Sequence, residues 1–93
     1  MGKATIFESS RLLVGLNAFE PGQSHALHAH HGMDKVYHVL EGEGLMQIDG
    51  NDRVVRKGDY IFLPPGVDHS ISNTGLTDLI FLVVTSPVSD EAQ

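Results

Sequence analysis

The stretch GDYIFLPPGVDHSISN, running from Gly58 to Asn73, decides the fold. Two short runs rich in branched and aromatic residues, Tyr60–Leu63 and His69–Asn73, are joined there through Pro64-Pro65-Gly66. Such runs suit strands, because branched and aromatic side chains pack well on a pleated surface. Between them proline presets φ and glycine accepts a positive φ, so the chain turns sharply and aims His69 inward. Outward from this stretch the same reading predicts strands at Leu12–Phe19, Val36–Leu40, Leu45–Ile48, Arg53–Arg56 and Leu79–Thr85. Asp49-Gly50-Asn51-Asp52 is a hairpin signal, and Glu20-Pro21-Gly22 is a second tight turn. Gly and Pro recur so often that few uninterrupted windows reach the roughly 10 to 12 residues a helix wants. About seven or eight short strands at regular spacing predict an all-β sandwich or barrel.

The chain has 93 residues, the length of one small domain, and the expectation is a single domain over residues 1–93. Apolar residues make up 41% and charged residues 19%, which excludes a disordered chain. A core this small buries a modest fraction of its surface, and with no cysteine it has no disulfides. Metal binding or oligomerisation is expected to help hold it together. Twelve acidic against six basic residues give a formal net charge of −6, which disfavours a nucleic-acid backbone as partner. No stretch approaches the roughly 18 apolar residues of a membrane span, and Met1–Ser10 has no basic segment followed by an apolar core. The expectation is no membrane partner and a cytoplasmic location. Ser86–Gln93 turns polar and is expected to fray.

Six histidines is the unusual number, and His25, His28, His30 and His31 fall within seven positions. On a strand a two-residue step returns to the same face, so His28 and His30 can point at one atom. A third donor must come from elsewhere, and His69, beginning a strand just after the proline turn, is the natural candidate. Three neutral imidazoles suit a divalent transition metal (Fe, Zn, Mn, Ni or Cu) with positions left open to water or substrate. Taken alone, a His-x-His pair is more often a pair of solvated surface residues.

The wider spacing changes that balance. Gly22, five residues, His28-Ala29-His30 and a closing Gly42 resemble the first cupin motif over residues 22–42. Gly58, five residues, Pro64-Pro65-Gly66, two residues, His69, three residues and Asn73 are similar to the second motif over residues 58–73. The resemblance implies a small cupin, a double-sheet jelly-roll barrel whose cavity carries a metal on His28, His30 and His69. There is one departure. The family's usual glutamate ligand, seven residues before Gly42, falls on Lys35, and an ammonium cannot coordinate a cation. Asp34 is a substitute carboxylate only if the chain bulges, since its strand parity points it away.

Lys35, Tyr37 and Val39 share the face that would look into the barrel. Lys35 is read as a proton donor or base, or as a cationic anchor for an anionic ligand; otherwise it snorkels to the mouth and pairs with Asp34. Tyr37 either donates a hydrogen bond to a substrate oxygen or is plain core. His25 and His31 are out of register with the histidine pair and expected in solvent. His38, of opposite parity, belongs on the outer face or at a subunit interface, and Asn73 ties down backbone. Leu12, Leu13, Val14 and Leu16 put apolar side chains on both faces of one strand, which predicts a homodimer by sheet packing or strand addition. The functional expectation is a metal-dependent enzyme of dioxygenase or isomerase type acting on a small anionic organic molecule, with Lys35 and Tyr37 as catalytic candidates. A non-catalytic small-ligand-binding or sensing module with a structural metal is the alternative.

Overall fold

Nine strands in two antiparallel sheets, with no helix among the described residues, make up a computed structural model that describes residues 1–27 and 32–87. The strands are β1 (Gly2–Glu8), β2 (Leu13–Phe19), β3 (Ser24–Leu27), β4 (Asp34–Glu41), β5 (Glu43–Ile48), β6 (Asn51–Arg56), β7 (Tyr60–Leu63), β8 (His69–Ser72) and β9 (Leu79–Ser86). One sheet has the order β1-β2-β9-β4-β7 and the other β3-β8-β5-β6. Strands distant in sequence lie side by side, and the two sheets close face to face as a double-sheet jelly roll. The expected all-β jelly-roll class is therefore the observed one. Ser86, expected in a polar tail, ends β9 and donates its hydroxyl to the Arg11 carbonyl at 2.8 Å; residues 88–93 lie outside the described residues.

Turn chemistry accounts for several connections. Asp49 and Gly50 have φ of 51° and 81°, the two positive values that a two-residue hairpin of this hand needs, and they join β5 to β6 with Ile48 opposite Asn51. Pro21 and Gly22, the latter at φ 85°, close the turn into β3 through a 3.0 Å bond from the Gln23 amide to the Glu20 carbonyl. Asn73 ties several of these pieces together. Its side-chain amide donates to the Phe19 carbonyl at 2.8 Å and the Thr77 carbonyl at 2.9 Å, and its oxygen accepts from the Gly75 amide at 2.9 Å.

Two strands escape the sequence reading. β1 is exposed along its whole length, so no alternation marks it, and its definition comes from pairing with β2. β3 has only four residues, too few for a period to show, and is held against β8.

Alternation sorts the side chains. Tyr37 and Val39 of β4, Ile61 and Leu63 of β7, and Phe81 and Val83 of β9 point into the core with Met46, Val55 and Ile71 from the other sheet. Phe81 meets both Phe19 (centroids 6.1 Å apart, 88° between planes) and Tyr37 (5.4 Å, 84°) edge to face. Each such pair adds about 0.5–1.5 kcal/mol beyond its buried area.

The two outer faces differ. On the four-stranded sheet the outer ladder rows carry Ser70, Gln47 and Asp52, then Ser72, Leu45 and Val54, then Glu43 and Arg56, a mixture of polar and apolar side chains. On the five-stranded sheet one row runs Ala4, Leu16, Leu82, His38, Tyr60, and the next runs Phe7, Val14, Val84, Val36, Phe62.

Candidate functional site

The second motif delivers its histidine as the turn chemistry implied. Gly66 has φ 83°, the turn ends in Val67 and Asp68, and β8 begins at His69, which is 6% exposed. The His69 ring lies 5.9 Å from that of Tyr37, 69° between planes, and its Nδ1 stands 3.4 Å from the Val67 carbonyl. A continuous series of edge-to-face contacts thus runs from Phe19 through Phe81 and Tyr37 to His69, so the imidazole is oriented by the packed core.

Beside it, β4 supplies Lys35. In the ladder Lys35 stands opposite Leu63 on one side and buried Thr85 on the other, so it shares the inward parity of Tyr37 and Val39. Lys35, His69, Met33, Leu63, Pro64 and Val67 line one cleft of about 190 Å³ of empty space, part of it open to solvent. Burial of the ammonium, and then the charge of Lys3, push the Lys35 pKa below its ordinary value of 10.5. Lys3 sits on β1 in register with Asn17, which in turn faces inward-pointing Phe81, so it stands on the barrel-facing side of the sheet. Asp34 is exposed and one step off in parity, on the outer side with Val36 and His38. Among the described residues Lys35 has no carboxylate in ion-pair reach; the ion pairs are Arg56–Glu43 at 3.6 Å and Lys57–Glu41 at 3.3 Å, both at the surface. Lys35 thus faces the cleft without the Asp34 pairing that one reading gave it.

Tyr37 is 1% exposed and lies one layer deeper than the cleft, under His69. Its burial raises the phenol pKa well above the ordinary 10.0, which keeps the hydroxyl protonated. In this position it orients His69. His25 differs from expectation: it is half-buried, opposite buried Ile71, and so stands on the barrel-facing side of β3. His38 is on the outer face, its ring 4.0 Å from that of Tyr60. His28, His30 and His31 lie outside the described residues. Among the described residues no three His, Cys, Asp or Glu side chains come together as a metal-holding group. His69 is a described donor whose chemistry fits a divalent transition metal. The cleft residues that the motif reading did not name are Met33, Leu63 and Val67. Leu63 was accessible from parity, since it is two residues from inward Ile61.

Two sheets closed as a jelly roll, with the proline turn aiming a histidine into the barrel mouth, define a cupin. A family model described as "Cupin domain" matches residues 15–85, and the chain belongs to that family. The oxalate-binding protein of Thermotoga maritima is 39% identical over 84 residues, covering 90% of this chain and 69% of that protein. The crystal structure of a Thermus thermophilus protein superposes with a TM-score of 0.87 at 38% identity, covering 94% of this chain and 83% of the other. That of a predicted oxalate decarboxylase from Thermotoga maritima gives 0.86 at 35% identity, covering 92% and 79%. An uncharacterised Methanocaldococcus jannaschii protein is 39% identical over 66 residues, and this chain spans 53% of its length. Cupins commonly bind a metal, and members of the family bind small ligands.

Proposed function

We propose that this chain, as one cupin domain over residues 1–93, binds a small carboxylate anion at a divalent transition metal held by His28, His30 and His69, with Lys35 neutralising the anion's charge. The carrying observation is that Lys35 and His69 share one cleft. The cleft is small, its roughly 190 Å³ of empty space including open solvent, which suits a ligand of few heavy atoms. Where a carboxylate ligand is replaced by an ammonium, the charge of a metal site rises, and an anion offsets it. A Thermotoga maritima relative described as oxalate-binding supports oxalate as the first ligand to try. The metal, when bound, offers Lewis-acid positions to the anion's oxygens. Tyr37 and the aromatic core behind it hold the His69 ring at its angle. The acting unit in this reading is a homodimer.

The test is metal analysis of protein purified without a histidine tag, followed by calorimetric titration of the metal-loaded form with oxalate. About one metal per chain and saturable oxalate binding are expected. Retention of full metal content in the double variant His28→Ala, His69→Ala overturns the ligand assignment. A second reading is turnover, favoured by the relative described as a predicted oxalate decarboxylase. Dioxygen consumption with a bound substrate selects a dioxygenase, turnover without it a decarboxylase or isomerase, and binding alone the non-catalytic module.

A further inference from the structure

We propose that the Lys35 amine captures a small 2-oxo acid as an imine in the cleft that it shares with His69. The proposal uses the cleft of the ligand reading above but not its metal, and it adds a covalent bond that the reading lacks.

Lys35 stands apart from the other two lysines of the chain, Lys3 and Lys57. Lys57 lies at the surface and pairs with Glu41 at 3.3 Å, and Lys3 is exposed on β1. Lys35 is half-buried on the inward face of β4. What packs about it brings no negative charge. β7 places Leu63 opposite it, β9 places buried Thr85 on its other side, and Met33, Pro64, Val67 and His69 complete the walls of the cleft. Among the described residues no carboxylate stands in ion-pair reach of its nitrogen. A lysine becomes a nucleophile when apolar walls desolvate it or when another cation lies near it, because both disfavour the ammonium. Both conditions hold for Lys35: burial, and then the charge of Lys3, lower its pKa from the ordinary 10.5. A metal cation in the same cleft acts in the same direction.

The chemistry of an amine selects the partner. An aldehyde or ketone takes a neutral amine with water as the only leaving group and with no co-reactant. The Nζ lone pair forms a bond to the carbonyl carbon, and a proton passes from nitrogen to oxygen through solvent at the open side of the cleft. A second proton, from water, lets the C–O bond break, so that water leaves and a protonated C=N bond remains. Amine, carbonyl and one proton thus give an iminium and water, with no net oxidation or reduction. The iminium is a fixed positive charge in a partly buried place, and such a charge is costly unless it is paired. The described residues offer it no carboxylate, so a substrate that carries its own beside the carbonyl is favoured over a neutral aldehyde. The small cleft suits the shortest of these acids. Oxalate does not form this bond, since both of its carbons are carboxylates and resist amines.

Three lysines in one chain let each measurement carry its own reference. The full chain as purified is incubated at neutral pH with glyoxylate, the smallest 2-oxo acid, and cyanoborohydride, which delivers hydride to an iminium and fixes it as a secondary amine. Peptides bearing Lys3, Lys35 and Lys57 are then followed by mass spectrometry. In the folded chain Lys35 should be labelled about tenfold faster than Lys57 or more, the factor that one pKa unit gives in neutral amine. In guanidinium, where the cleft is gone, the two should react alike. A Lys35 rate no greater than that of Lys57 in the folded chain overturns the proposal, and a preference that survives unfolding overturns the role of the cleft. Acetaldehyde in place of glyoxylate should show a smaller preference for Lys35 over Lys57; an equal preference overturns the assignment to 2-oxo acids. The labelling needs neither metal nor oxalate, so a failed oxalate titration leaves it unchanged, and an unlabelled Lys35 leaves metal content and oxalate affinity as measured.

Discussion

Replacing Lys35 by Met should lower the affinity for an anionic ligand while raising the stability of the metal-free protein. Both effects follow from one half-buried ammonium at the wall of the cleft. Methionine keeps the length of the stem against Met33 and Leu63 and removes the charge. A hydrogen bond to a charged group contributes about 1.5–3 kcal/mol. Because the cleft is partly open to water, the lower end applies, about 1.5–2 kcal/mol, or roughly 10- to 30-fold in dissociation constant. Calorimetric titration of the metal-loaded variant with oxalate reads this directly, and metal content should stay at the wild-type level. The stability effect has a sign fixed by the pKa. Burial and the Lys3 charge lower the Lys35 value in the folded state, so from that lowered value up to 10.5 the unfolded chain binds more protons. Metal-free protein should therefore gain stability as pH rises through that window, the unfavourable buried charge being fully present below it. In Lys35→Met the rise should be absent, and denaturant unfolding at neutral pH should show a gain in stability. Wild-type oxalate affinity in the variant would overturn this account, because it would mean that the ammonium does not reach the anion.

Tyr37→Phe should remove part of the alkaline unfolding. The folded phenol titrates above its ordinary 10.0 because it is buried, so the stability it confers is complete below that pH and is lost as pH rises through the raised value. Urea midpoints measured at increasing pH should fall less steeply in the variant; an identical fall would show that Tyr37 is not the group responsible. Asn73→Ala should cost about 2–4 kcal/mol, since three side-chain hydrogen bonds of about 1 kcal/mol each are lost and the carbonyls of Phe19 and Thr77 lose their donor. Asn73→Asp should be worse than Ala in thermal melting, because it turns an oxygen toward those two carbonyls while keeping the bond from the Gly75 amide. Equal melting points for the two variants would contradict that account.

Much of the site's frame is legible in the amino-acid sequence alone. Proline and glycine constrain φ locally, so the turns at Pro21-Gly22, Asp49-Gly50 and Pro65-Gly66 follow from residue type. The strand Tyr60–Leu63 has the bounds that its residues predicted, and period-two parity placed Lys35 and Tyr37 inward and Asp34 and His38 outward. These are short-range properties, decided by the residue and its immediate neighbours. What the tertiary structure alone decided concerns residues that meet across the chain. β1 exists because β2 offers it a ladder, and Leu82 and His38 share a row because β9 inserts between β2 and β4. Parity sent Lys35 and Tyr37 to the same face but could not rank their depth. The closing of the second sheet buries Tyr37 beneath His69 and leaves Lys35 at the cleft. His25 was expected in solvent because only its offset from His28 and His30 was visible; pairing with Ile71 turned it toward the barrel. The apolar outer face belongs to the same class, for alternate residues of five strands become one surface only when the sheet is assembled.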